Sequence, residues 1–187
     1  MPTHLIAIAA ELILLVTAFS VALELLGQKH WPAKLAALCI SLVGIAASLG
    51  ALRYAELDVV QYHELASGIA GHVGMVGFVV LLALKINRQQ CSNLWFYGFG
   101  AVSLVGYAFA LGYLKDVALI VSMLLLAVSI RKQQLPGYHF FTALIALFVG
   151  GGLALNGFTS GSLNEALFHL CIAATIHQYH RQFCYRI

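Results

Sequence analysis

From Ala9 to Leu23 a single charged residue, Glu11, interrupts an otherwise apolar or hydroxyl-bearing run, and comparable runs recur along the chain. An α-helix needs about 20 apolar residues to cross roughly 30 Å of hydrocarbon. In lipid every backbone N–H and C=O has to be paired internally, so only helices and closed barrels span. Barrel strands alternate apolar and polar side chains, and these runs do not. The expected fold class is therefore all-α, a polytopic transmembrane helical bundle. Composition agrees. The chain of 187 residues is 61% hydrophobic and 9% charged, with a mean hydropathy of +0.91. A soluble domain carries about 25% charged residues, so this chain lacks the charge to cover a water-facing surface.

Segmentation predicts seven helices in a single domain spanning 1–187, at 4–26, 33–54, 63–86, 93–114, 116–130, 137–155 and 163–182. The fifth is near the lower length limit and suits a locally thinned bilayer. The loops are short and leave no room for a soluble domain. Eight of the ten basic residues fall on one side of this layout: Lys29, Lys34, Lys85, Arg88, Arg131, Lys132, Arg181 and Arg186. Only Arg53 and Lys115 fall on the other. The positive-inside rule places the crowded side in the cytoplasm, with the N-terminus outside and the C-terminus inside. Only Met-Pro-Thr-His precedes the first run, and the positive residues follow it. This predicts a retained reverse signal-anchor rather than a cleaved signal peptide. The short loops point to a bacterial inner membrane.

The net charge of +3 is spread over many loops without a basic run, which argues against nucleic acid as a partner. The four cysteines, Cys39, Cys91, Cys171 and Cys184, form no C-x-x-C pair. Three lie toward the reducing side and Cys171 lies near the midplane, so free thiols are expected. Ser67, Gly68, Gly71, Gly74 and Gly77 in the third segment, and Gly150 to Gly152 in the sixth, read as close-packing faces. Trp31, Trp95, Tyr54, Tyr62, Tyr138 and Tyr185 at segment ends fit an interfacial belt.

Function is sought among ionisable groups inside the bilayer, where a charge costs roughly 2.5–3.5 kcal/mol on insertion scales. Glu11, His72 and His169 sit in the first, third and seventh segments, all entering from outside. At 1.5 Å per residue each lies roughly 10 Å below the outer surface. His4 precedes Glu11, Glu64 precedes His72 and Glu165 precedes His169, each nearer the outer rim, with Ser67 and Asn164 close by. Two imidazoles and a carboxylate make a common first shell for zinc or non-haem iron. The expectation is a metal held by Glu11, His72 and His169, with Glu165 or Glu64 orienting a ligand or acting as base. Such a metal could activate water against a lipid-like substrate from the outer leaflet. His72 and His169 could instead be axial ligands of a b-type haem passing electrons from a membrane quinone. Two further readings stay open: a small proton-coupled transporter, and a non-catalytic subunit of an oligomer or larger membrane complex. An inner group of Glu24, His30, His139, His177, His180 and Arg181 reads as headgroup-level polar residues that snorkel to water.

Seven helices, an outside N-terminus, Ser67 and His72 on an early helix and histidines on the last helix resemble the CREST membrane hydrolases, which include the alkaline ceramidases. The resemblance implies a zinc-dependent hydrolase of a lipid-like substrate. The last helix departs from that family's H-x-x-x-H pair, carrying His169, His177 and His180 instead. It holds no lysine, which excludes a retinal Schiff base.

Overall fold

The computed structural model describes residues 2–86, 161–180 and Cys184. The expected fourth, fifth and sixth segments, with Cys91 and His139, lie outside the described residues. So do Trp95, Tyr138 and Tyr185. The described residues are helical, with no strand among them. The elements are α1 (Pro2–Leu26), α2 (Trp31–Tyr54), α3 (Val60–Ile69), a π-helical turn (Ala70–Met75), α4 (Val76–Ile86) and α5 (Gly161–Tyr179).

Helix α1 buries Ala7, Glu11, Leu14, Ala18, Val21 and Leu25, in steps of four and three. That 3.5-residue period keeps one seam against neighbouring helices. The opposite face exposes Leu5, Leu12, Val16, Leu23 and Leu26, an apolar stripe that water would penalise and lipid would not. Proline stands in the first turn of both α1 and α2, where its missing N–H costs nothing. Helix α2 presents a buried seam of small residues, Ala33, Ala36, Ala37, Gly44, Ala47 and Gly50, which lets backbones approach closely. It runs antiparallel to α1. His4 stacks edge-on against Tyr54 at one end, Gly50 faces Glu11, and Gly44 faces Phe19.

The α2 C-terminus closes with Glu56 N–H donating to the Arg53 carbonyl and Leu57 N–H to the Leu52 carbonyl. This is the paired bonding of a Schellman cap. Its left-handed position is filled by Glu56, at φ 63°, rather than by glycine. From Val60 to Ile86 the chain forms one continuous rod of α3, the π turn and α4. Gly74 in the π turn lies against α2: a Cβ there would meet the Cys39 carbonyl oxygen at 2.8 Å. Helix α5 lies along α1 and runs parallel to it, since His169 meets Glu11 and, further along both helices, His180 meets Glu24.

Three helical stretches are long and apolar enough to cross a membrane: His4–Leu26, Trp31–Tyr54 and Val60–Leu82. The chain is thus a helical protein of membrane type. Helix α5 is not among the three; Glu165, His169, Thr175, His177 and Gln178 dilute its apolar character. The helices start slightly earlier than expected, because Trp31 and Val60 begin α2 and the α3 rod. Cys39, Cys171 and Cys184 are free thiols, in line with the expectation for those three.

Candidate functional site

The seam of α1 carries Glu11 inward because it falls four residues after Ala7 and three before Leu14, both buried. Its side chain is 1% exposed. It fits only because Gly50 of α2 has no side chain: a Cβ there would collide with the carboxylate. On α5, His169 continues the inward positions Ala166, Ala173 and Ile176, again in steps of three and four. Its Nδ1 lies 3.2 Å from Oε1 of Glu11. The ring is not aimed for a directed hydrogen bond, however. Both Glu11 oxygens and His169 Nδ1 are without a hydrogen-bond partner among the described residues. Proximity without alignment is an electrostatic contact, and it leaves these atoms able to bond something else.

A cavity of ≈ 100 Å³, partly open, lies beside this pair. Its polar lining is Glu11, His63, Ser67 and His169; Val43, Met75, Phe168 and Ile172 supply much of the apolar wall. His63 and Ser67, one turn apart on α3, sit with Nε2 and Oγ 3.2 Å apart. His63 Nδ1 is a further buried nitrogen without a hydrogen-bond partner among the described residues. The π turn forms the next stretch of lining, through Ala70, Gly71 and Met75. Single π turns inside α-helices occur often at functional sites, because they widen the helix and re-aim side chains.

The other expected site residues are placed as follows. His72 is buried in the π turn, and its Nδ1 donates to the Gly68 carbonyl at 2.8 Å. It is not among the residues lining the cavity. Glu64 is exposed. Glu165 Oε2 accepts from Arg53 Nη2 at 2.8 Å, and Arg53 also lies over the Tyr54 ring, 4.6 Å from its centre. Arg53, one of the two basic residues that the sequence sets apart from the other eight, is thus compensated by an acid. The structure brings Glu11 and His169 together and engages Glu165 with Arg53. Among the described residues, no group of three or more His, Cys, Asp or Glu side chains is placed to hold a metal ion.

Two features escaped the sequence. His63 opens the third apolar segment, where a histidine reads as interfacial; its four-residue step to Ser67 was the available signal. The inner group also has internal order. His180 Nε2 lies 3.1 Å from Glu24 Oε2, its Nδ1 donates to the His177 carbonyl at 2.6 Å, and the Cys184 thiol donates to Glu24 Oε1 at 3.4 Å. Two carboxylate–imidazole contacts therefore join α1 to α5 and to His180 just beyond it, 13 residues apart on α1 and 11 apart along the other stretch. At helical rise that separates them by roughly 16–20 Å.

No protein-family model matches the chain, and no curated protein or solved structure matches it significantly.

Proposed function

We propose that this chain is a seven-helix carrier of a bacterial inner membrane that exchanges a proton for a solute at Glu11. The observation that carries this reading is the buried Glu11 carboxylate. Both its oxygens lack hydrogen-bond partners among the described residues, it touches His169, and it borders a partly open cavity. A carboxylate beside an imidazole can take up or release one proton without large movement, since either group can hold it. Ionisable groups facing the interior of a bundle commonly mark ion or proton pathways. The cavity gives a solute access to the same carboxylate, and one carboxylate cannot hold a proton and a cation in one place. That exclusion is the coupling. The Glu24–His180 contact supplies a second protonatable station on the same two helices, toward the cytoplasmic end.

Seven crossings are part of this reading. Three further apolar segments in the sequence between residues 86 and 161 support it, together with the parallel course of α1 and α5.

Infrared difference spectroscopy between two pH values, on protein reconstituted in lipid, tests the proposal. The expected result is a protonated-carboxyl band that changes with pH and disappears in Glu11→Gln. An unchanged spectrum in that isosteric variant would overturn it.

The metal reading, and with it the zinc hydrolase and the b-type haem, needs a third donor brought to Glu11 and His169. His63 stands on the same cavity and is the residue best placed to supply one. Elemental analysis of purified, folded protein never exposed to chelator decides this. One zinc or iron per chain supports a metal centre, and metal-free protein removes it.

A further inference from the structure

Residues that line the cavity beside Glu11 carry four buried polar atoms without hydrogen-bond partners among the described residues: the two Glu11 oxygens, His169 Nδ1 and His63 Nδ1. When His63 donates its Nε2 hydrogen to Ser67 Oγ, 3.2 Å away, Nδ1 keeps a lone pair and accepts. The charges around the site have the matching sign. Arg53, the nearby cation of α2, is drawn to Glu165 of α5 at 2.8 Å, which leaves Glu11, once it gives up its proton, as the charge on the cavity wall.

An ammonium group brings its own N–H donors, which bond such acceptors at about 2.7–3.2 Å. Size selects the rest. Cavities for drug-sized ligands run to about 300–1,000 Å³, and a water molecule takes about 30 Å³ of liquid volume. A partly open space of ≈ 100 Å³ suits a small solute.

We propose that this cavity binds a small primary ammonium group, R–NH₃⁺. Its N–H groups donate to Glu11, His169 and His63, and R rests against Met75 and Phe168. The inference rests on the proton-exchange reading, of which it names the solute class. As the cation enters, the Glu11 carboxyl releases one proton. One positive charge arrives, one leaves, and no other bond changes.

The test is equilibrium binding of radiolabelled methylammonium to the full chain in lipid nanodiscs. Proton release is followed in the same samples with a pH-sensitive dye. The wild type and the outward-facing control Leu12→Ala should bind saturably. Ethylammonium should compete, and tetramethylammonium, which has no N–H, should compete about tenfold or more weakly. Glu11→Gln should lose at least about tenfold in affinity, and His63→Gln should lose less. Equal competition by tetramethylammonium, or full binding in Glu11→Gln, overturns the proposal. A pH-sensitive Glu11 carboxyl band without methylammonium binding removes the solute class and leaves proton exchange standing. Saturable binding without proton release keeps the site and removes the exchange.

Discussion

Gly50 and Glu11 depend on each other. The carboxylate occupies the volume that any side chain at position 50 would need. Gly50→Ala should therefore destabilise the protein by about 1–3 kcal/mol through overpacking. It should also weaken whatever binds at Glu11. In a Glu11→Ala background the same change should cost far less, because the collision is gone; such non-additivity is the mark of direct contact. Thermal unfolding of the four proteins in one detergent checks this, and additive losses would count against the packing account. Glu56 offers the opposite case. It sits at φ 63° where glycine carries no steric penalty, so Glu56→Gly should stabilise by about 1 kcal/mol. The sequence shows Glu11 and His169 readily, because an acid and an imidazole inside apolar runs stand out by cost alone. His63 hides, because near the end of an apolar segment a histidine costs little and carries no such signal.

The buried seam of α1 could not be read from the sequence, since both faces of the helix are apolar. Nor could the π turn. One extra residue in a turn changes which side chains share a face but not the composition, so the spacing of His63, Ser67, Gly71 and Met75 reads as ordinary helix. That extra residue makes a sharp prediction. Deleting Gly71 should convert the stretch to α-helix and rotate the residues before it by about 100° relative to those after. His63 and Ser67 would then leave the cavity, and methylammonium binding should fall while circular dichroism keeps its helical signature. Gly74 tests the other face of the same turn. Its virtual Cβ meets a backbone carbonyl, which cannot swing aside as a side chain can. Gly74→Ala should force α2 and the π turn apart, lowering the unfolding temperature without directly touching Glu11.

The arrangement of helices links the site to the membrane. Antiparallel α1 and α2 bring the Glu56 turn to the end where α1 begins, and parallel α1 and α5 carry Arg53–Glu165 above Glu11–His169. In the proposed topology this end faces outward, where the Arg53–Glu165 pair would compensate one of the two cations set on that side. The depth match between Glu11 and His169 was legible because both segments enter from one side. The partner of each acid was not, since a linear chain does not say which helices become neighbours. Orientation can be measured directly. With Cys39, Cys91, Cys171 and Cys184 replaced by serine, a membrane-impermeant thiol reagent should label Glu56→Cys in intact cells. It should reach Gln28→Cys, in the turn between α1 and α2, only after the membrane is broken. The reverse pattern would put the cavity and its carboxylate in the cytoplasmic half. The exchanged cation would then enter Glu11 from inside, and Glu24–His180 would become the outer station.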